Sequence, residues 1–176
     1  VVLPTIAWLV SGKNPLQFLR AVSQPMVTAL FTSSSAATLP LSMQTAQDKL
    51  GVDQARSAFV LPLGATANMD GTALYEAAAA LFIANLVGMD LTLTQQLIVC
   101  LTAMIASLGA PGIPSAGMVT MIMVLQSVGL PAEAIAILLP IDRILDTVRT
   151  VVNVQGDMMI SVVVDRYAKS DSIESS

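Results

Sequence analysis

Two long uncharged stretches dominate the hydrophobic pattern, and each has a centre that disfavours a helix. No charged residue lies between Asp90 and Glu133. Glycine and proline crowd the middle of this stretch, at 107–117, where they would interrupt a helix. At ~1.5 Å per residue, the arm on either side reaches only about 20 Å, short of the ~30 Å apolar thickness of a bilayer. This pattern predicts a re-entrant helical hairpin over 94–130.

The stretch between Arg20 and Asp48 has the same shape. It is also uncharged, and its middle is a serine-rich segment at 32–40 that ends in proline. The pattern predicts a second re-entrant hairpin, over 15–48. Irregular backbone at membrane depth is tolerated only where it is buried in protein or lines a wet cavity. Both hairpin tips are therefore expected to lie inside the protein.

Each hairpin is followed by a long apolar segment with an embedded polar motif. The segment 54–88 contains Asn68 to Thr72, and the segment 132–166 contains Arg149 to Asp157. The fold class predicted is an all-α membrane protein, with two re-entrant helical hairpins and two long broken transmembrane helices arranged as an inverted repeat. Interrupted apolar segments at matching positions of two halves indicate the binding site of a secondary transporter.

The ends of the chain complete this organisation. Residues 1–12 are apolar, without an initiator methionine, and are predicted to end a preceding transmembrane helix of a longer protein. Residues 13–168 form the predicted transport domain, and the hydrophilic residues 169–176 the cytoplasmic tail. Lysine and arginine occur before and after the first hairpin and after the last helix, which the positive-inside rule assigns to the cytoplasm.

A polar stripe on the last apolar segment carries the candidate chemistry. Its positions are spaced by 4, 3, 4 and 4 residues, so on a helix they fall within roughly 80° of arc. Ionisable residues inside a membrane face a bundle interior or a cavity and are functional candidates. An arginine fork suits a substrate carboxylate, an aspartate suits an ammonium group, and amide and carboxylate oxygens suit a small cation. An internal ion-pair network is the alternative. The stripe comprises Asp142, Asp146, Arg149, Asn153 and Asp157.

Three further features are candidates for binding. Asparagine, aspartate and glycine at 68–72 favour a helix break, which would free carbonyl groups for a cation. The two tips would present unpaired N–H groups and helix ends that attract anions. Glu76 lies one turn after Thr72, and a buried carboxyl group without a cation favours its neutral form, as a proton carrier requires. The alternative is a partner arginine or lysine for Glu76 elsewhere in the full protein.

Composition narrows the class of protein. The chain is 55% hydrophobic and 11% charged, with a mean hydropathy of +0.75, whereas soluble domains carry about 25% charged residues. It has no histidine and a single cysteine, Cys100, which excludes histidine triads, the usual zinc sites and an internal disulfide. A net charge of −4 without a basic tract argues against nucleic acid as a partner.

Two other functions fit part of the pattern. An intramembrane aspartyl protease could use Asp70 and Asp157 on two apolar helices, but the Gly156–Asp157 pair lacks the first glycine of a Gly-x-Gly-Asp motif. An ion channel is compatible with the polar stripe. The carrier is the preferred hypothesis, and we expect no enzyme activity and no cofactor beyond coupling ions.

Four segments resemble the dicarboxylate/amino-acid:cation symporter family, which includes the excitatory amino-acid transporters. The resemblance implies sodium-coupled uptake of glutamate or aspartate, with a proton as a second coupling ion, by an elevator mechanism. It also implies a homotrimer built on an N-terminal scaffold in the plasma (inner) membrane, with the first hairpin as inner gate and the second as outer gate. A C4-dicarboxylate or a neutral amino acid is the alternative substrate. The segments are 33–40, 61–72, 107–117 and 142–157.

The resemblance also implies roles for individual residues. The substrate would contact Ser35, Thr72, Ile113, Gly117, Asp146, Arg149, Thr150 and Asn153. One sodium ion would bind Gly64, Asn68, Asn153 and Asp157, and another would bind Thr66, Ser107, Leu108 and Ala110. Asp70, with Asn68, would serve a third site, and Glu76 would couple protons. The family usually has an additional arginine where this chain has Ser33 or the Thr147–Val148 pair, and Arg143 is the candidate to replace it.

Overall fold

The computed structural model describes residues 2–12 and 14–174, which are helical with no strand. Val1 and residues 175–176 of the predicted terminal segments, and Lys13 at the start of the predicted transport domain, lie outside the described residues. The helices are α1 (Val2–Ser11), α2 (Pro15–Thr32), α3 (Ser35–Asp48), α4 (Gln54–Ala67), α5 (Asp70–Leu86), α6 (Leu93–Ser107) and α7 (Gly117–Ser127), followed by a 3-10 helix (Ala132–Ile137) and α8 (Leu139–Glu174).

Polar side chains at the N-termini explain where several helices begin. Asn14 accepts the Leu16 N–H, and a proline follows it at the first helical position of α2. Asp53 accepts two N–H groups at the start of α4. Thr92 and Gln95 form a capping box at the start of α6. These caps satisfy backbone donors that have no partner within the helix.

Two helix pairs occupy the segments where the sequence predicts hairpins. Helices α2 and α3 pack against each other and are joined by Ser33 and Ser34, and α6 and α7 are joined by 108–116. Each connection contains one serine in the left-handed region, Ser33 at φ 49° and Ser115 at φ 60°. The two tips thus reverse the chain with the same uncommon backbone conformation.

The two long helices differ at their polar motifs. The predicted break after Asn68 is confirmed, since α4 ends at Ala67 and α5 begins at Asp70. The second segment changes from a 3-10 helix to α8 at Leu138, but its polar stripe contains no break, because α8 runs uninterrupted from Leu139 to Glu174. The stripe side chains pair with one another and with neighbouring helices. The helix also continues beyond the predicted start of the tail at residue 169.

Apolar side chains form two cores. One core joins α5, α6, α7 and the 3-10 helix around Ile83, Val99 and Leu125. The other joins α1 to α4 and the C-terminal half of α8 around Phe18 and Met158. Helix α8 packs against α1 to α5 and the 3-10 helix, so its polar stripe faces helices of both cores.

Within the described residues, we find no helix that combines the length and the apolar character needed to cross a membrane. The predicted spanning segment 54–88 is divided into helices of 14 and 17 residues. The predicted spanning segment 132–166 begins as a 3-10 helix and then carries the charged stripe of α8.

Candidate functional site

Helix ends meet at the middle of α8. The tips contact each other directly, since the Gly112 carbonyl accepts the Ser34 hydroxyl at 2.7 Å and the Ala36 N–H at 3.1 Å. The start of α5 contacts α8 through the Gly71 N–H, which donates to Asn153 Oδ1 at 2.8 Å. Helices α3, α5 and α7 begin here, and α4 and α6 end here. Helix N-termini favour anions and carbonyl ends favour cations, so the junction suits both kinds of ligand.

A small cavity lies at this junction. Its volume is about 20 Å³, enough for roughly one water molecule. Seven of the eight predicted substrate residues line it, and Arg149 lies beside it. The tips and α8 are therefore closed around the point where the sequence predicts the substrate. The seven are Ser35, Thr72, Ile113, Gly117, Asp146, Thr150 and Asn153.

Arg149 is held by a buried charged cluster. Its Nη2 lies 2.6 Å from Asp146 Oδ1 and 3.4 Å from Asp142 Oδ1, and its guanidinium carbon lies 4.4 Å from the centre of the Tyr75 ring. All three charged side chains are at least 93% buried. Arg149 thus pairs with both Asp142 and Asp146, as expected for the internal ion-pair network that is the alternative interpretation of the stripe. Asp142 acquires a role as a partner of Arg149. Two carboxylates thus share one buried guanidinium.

Arg149 retains one free donor. Its Nη1 is buried without a hydrogen-bond partner among the described residues. A Cβ placed on Gly117 would lie 2.8 Å from this nitrogen, so only glycine leaves it room at the start of α7. An unpaired donor of a charged group in a buried position favours an anionic acceptor.

Asp146 links α8 to the second tip. Its Oδ2 accepts the Ser115 N–H at 2.9 Å, while its Oδ1 faces Arg149. The side chain of Arg143 is 61% exposed and lies 4.0 Å from Asp146 Oδ2, at the edge of the charged cluster. Thr150 donates its hydroxyl proton to the Asp146 carbonyl at 2.8 Å. Asp146, whose carboxylate is predicted to bind a substrate ammonium group, therefore also holds the second tip against α8 through Ser115.

Asn153 fixes the helix break to α8. Besides accepting from Gly71, it donates from Nδ2 to Thr72 Oγ1 at 3.1 Å and to the Met69 sulfur at 3.2 Å. The side chain is 4% exposed. It thus orients both the first turn of α5 and the thioether at the break.

The first predicted cation set is largely assembled. Asn68 Nδ2 donates to Asp157 Oδ1 at 3.0 Å, and a Cβ on Gly64 would lie 2.7 Å from the same oxygen. A Cβ on Gly156 would lie 2.7 Å from Asn68 Nδ2 and 2.9 Å from Asp70 Oδ2. The absence of side chains at both glycines lets the acidic and amide groups come together. Among the described residues, no three histidine, cysteine, aspartate or glutamate side chains cluster as a metal site.

The second predicted cation set is more dispersed. Ser107 and Leu108 line a cavity of about 260 Å³ together with Asp70 at the helix break. Ala110 is buried and its N–H donates to the Ser107 carbonyl, whereas Thr66 is exposed at the end of α4. These carbonyl-bearing residues flank the gap between α4 and the second tip.

Glu76 lies on α5, directly after Tyr75, whose ring stacks on Arg149. It is fully buried, and its Oε1 accepts a short hydrogen bond from the Thr120 hydroxyl of α7. Its Oε2 has no partner among the described residues. The hydrogen-bond partner of Glu76 is therefore the hydroxyl of Thr120, which belongs to the helix pair α6 and α7.

Sequence reasoning missed several residues of this site. Ser115 and Ser34 act through tip contacts that no spacing predicts, and Tyr75 stacks on Arg149. Thr120 had a detectable signal, as the single polar residue between Gly117 and Gln126 in an otherwise apolar arm. A lone hydroxyl in such an arm indicates a buried polar partner.

Helix ends converge with a buried charged stripe on one small cavity, which is the arrangement typical of binding sites in secondary transporters. The model of the sodium:dicarboxylate symporter family matches residues 1–167. The chain belongs to this family, and the resemblance found in its motifs is confirmed.

Similar proteins agree with this assignment. The chain is 50% identical over 171 residues to excitatory amino acid transporter 3 of Oryctolagus cuniculus, covering 97% of this chain and 33% of that protein. It is 50% identical over 177 residues to excitatory amino acid transporter 2 of Mus musculus, covering 99% and 31%. An excitatory amino acid transporter of Caenorhabditis elegans is 49% identical over 169 residues, covering 96% and 34%. The chain spans about one third of the length of these relatives, and the family and relatives are named as transporters and not as enzymes.

Proposed function

We propose that this chain forms the substrate- and cation-binding part of a secondary active symporter, which uses a sodium gradient to take up glutamate or aspartate. The observation that carries the proposal is the buried pairing of Arg149 with Asp146 between two hairpin tips. An acidic amino acid has a carboxylate for the guanidinium and an ammonium for the aspartate. The family assignment and the names of the relatives support sodium coupling and an acidic amino acid.

Two atoms of the charged cluster are available to the substrate: the unpaired Nη1 of Arg149, and Asp146 Oδ2, whose present partner is the Ser115 N–H. The unpaired Nη1 of Arg149 takes the side-chain carboxylate of the substrate. The ammonium group competes with the Ser115 N–H for Asp146 Oδ2, so substrate binding loosens one contact of the second tip. The α-carboxylate lies at the N-termini of α3 and α7, where Ser35 offers a donor, with Thr72 of α5 and Thr150 of α8 lining the same cavity. Asn153 completes the set, with Ile113 and Gly117 at its edge.

Sodium binding relies on oxygen ligands at the helix break. Asp157 is buried with an amide as its hydrogen-bond partner, so a bound cation would offset the cost of burying its charge. Carbonyls of Gly64, Asn68 and Asn153 supply the other oxygens. A second ion uses carbonyls of Thr66, Ser107, Leu108 and Ala110, and a third uses Asp70 with Asn68.

The whole protein is proposed to be a multi-pass plasma-membrane homotrimer. The two helix pairs would be re-entrant hairpins of an inverted repeat, and their tip contact through Gly112 would be the closed gate. The scaffold and the trimer contacts would come from the part of the relatives' length that this chain does not span.

Uptake of labelled aspartate by the full-length protein in proteoliposomes tests the proposal. We expect Arg149→Ala to abolish sodium-dependent uptake, while the matched change Arg20→Ala, at an exposed arginine of α2, leaves it intact. Undiminished uptake in Arg149→Ala would refute the assignment. Uptake of succinate that tolerates Asp146→Asn would identify a C4-dicarboxylate carrier, because that substrate has no ammonium group. Flux without saturation or sodium dependence would indicate a channel.

Proton coupling through Glu76 is part of the same proposal. The carboxyl group is fully buried, and a proton taken up from the solvent would neutralise it. We expect Glu76→Gln, which resembles the protonated form, to remove the pH dependence of uptake. An unchanged pH profile would contradict this role.

A further inference from the structure

The hydroxyl of Thr120 has two acceptors within reach. It donates to Glu76 Oε1, and the Gly117 carbonyl lies 3.2 Å away, three residues earlier on the same helix. A hydroxyl has one proton to donate and two lone pairs that accept. Thr120 can therefore satisfy only one of the two acceptors at a time.

The protonation state of Glu76 decides which acceptor receives that proton. An ionised carboxylate only accepts, so the Thr120 proton must point to Glu76. A Glu76 protonated on Oε1 donates its own O–H to Thr120 Oγ1, and the Thr120 proton is then free to turn to the Gly117 carbonyl. The proton comes from the solvent and stays on Glu76, while the hydroxyl rotates without passing its own proton on. The direction of this hydrogen-bond chain thus follows the charge of Glu76.

Gly117 connects the chain to the substrate site. It is the first residue of α7, it lines the 20 Å³ cavity, and a Cβ there would meet Arg149 Nη1 at 2.8 Å. The other ionisable groups that face this region are Arg149, Asp142 and Asp146 on α8 and Tyr75 on α5. Helices α6 and α7 contribute no charged residue. Thr120 is therefore the contact of the second helix pair that can respond directly to Glu76.

We propose that Thr120 is a positioning residue for proton coupling, whose hydroxyl transmits the protonation of Glu76 to the backbone of the second tip at Gly117. This inference rests on the proton role proposed for Glu76. It adds that the second tip, which closes the cavity, is set by that proton through a single hydroxyl. A carboxyl group that only needed burial would not require a hydroxyl at this position of α7.

The test compares Thr120→Val and Thr120→Ala, which lack the hydroxyl, with Thr120→Ser, which keeps it. Sodium-dependent aspartate uptake by the full-length protein is measured over a pH series. We expect both hydroxyl-free variants to move the midpoint of the pH profile by about one pH unit toward higher pH, a tenfold change, because the bond to the ionised carboxylate is stronger than its neutral counterpart. Thr120→Ser should keep the wild-type midpoint.

A double-variant experiment separates this inference from the proposal beneath it. In a Glu76→Gln background, Thr120→Val should leave the pH profile as flat as in Glu76→Gln alone. If Glu76→Gln removes the pH dependence but Thr120→Val and Thr120→Ala both keep the wild-type midpoint, the Thr120 inference is wrong and the proton role stands. If Glu76→Gln keeps the wild-type pH profile, the proton role itself is wrong. Substrate-induced thermal shifts at one pH verify that each variant is folded.

Discussion

Replacing Gly64 with alanine should weaken sodium binding while leaving the protein folded. The added Cβ would lie 2.7 Å from Asp157 Oδ1 and 3.1 Å from its Cγ. To reach an ordinary contact of ~3.4 Å, the carboxylate must retreat by about 0.7 Å. The hydrogen bond from Asn68 to the same oxygen, now 3.0 Å, would then be lost or distorted.

The two expected effects have different magnitudes. Overpacking costs about 1–3 kcal/mol, and the better helix propensity of alanine offsets up to about 1 kcal/mol of that loss. The folded state should therefore lose no more than about 2 kcal/mol. A displaced charged ligand costs about 1.5–3 kcal/mol, which corresponds to a roughly 10- to 100-fold weaker apparent sodium affinity.

Sodium titrations of aspartate uptake by the full-length protein measure this effect, with thermal unfolding as the measure of stability. Ala58→Val is the control, because it adds methyl groups at an exposed position of the same helix, away from Asp157. The control should keep the wild-type sodium midpoint. If Gly64→Ala also keeps that midpoint while the protein remains folded, the placement of a sodium ion against Asp157 is refuted.

Two further predictions concern contacts between distant segments. Asp165 Oδ1 accepts hydrogen bonds from Arg56 Nη1 at 2.7 Å and from the main-chain N–H of Asp53, just before α4, at 3.0 Å. Asp165→Ala should therefore lower the free energy of unfolding by about 1–2 kcal/mol in thermal unfolding, after allowance for the partly exposed arginine. The exposed Asp48 is the control, and equal transitions for both alanine variants would contradict this. Gly112→Ala would bring a Cβ to 2.7 Å from the Ala65 carbonyl. We expect it to keep the second tip from seating and to reduce uptake at least tenfold, and wild-type uptake would show that the tip contact is dispensable.

The contacts between the tips and the proposed binding site use the same polar groups. Asp146 accepts the Ser115 N–H and pairs with Arg149, and the Gly112 carbonyl accepts from the first tip. In the proposed mechanism, a ligand that takes over the Asp146 contact would act directly on the second tip. This sharing of groups gives the proposed carrier a direct connection between occupancy and tip position.

Local chemistry was readable from the sequence. The spacing of 142, 146, 149, 153 and 157 places these residues on one helix face whatever surrounds them. Asn68 and the following residues predict a break because their side chains compete with helical hydrogen bonds, and the break is present. Glycine, proline and serine likewise predicted the interruptions between α2 and α3 and between α6 and α7.

Only the tertiary structure decided which of these features meet. Thr120 and Glu76 are 44 residues apart, and Asn153 reaches Gly71 across 82 residues, distances that no periodicity encodes. Helix α8 stays unbroken through its stripe, whose side chains pair partly with one another, as Arg149 does with Asp146, and partly with other helices, as Asn153 does with Gly71. The sequence by itself determined the faces, the breaks and the residue types of the site, since these depend on a residue and its near neighbours. Packing determined the pairings, because they depend on how closely glycines such as Gly64 and Gly117 let separate helices approach.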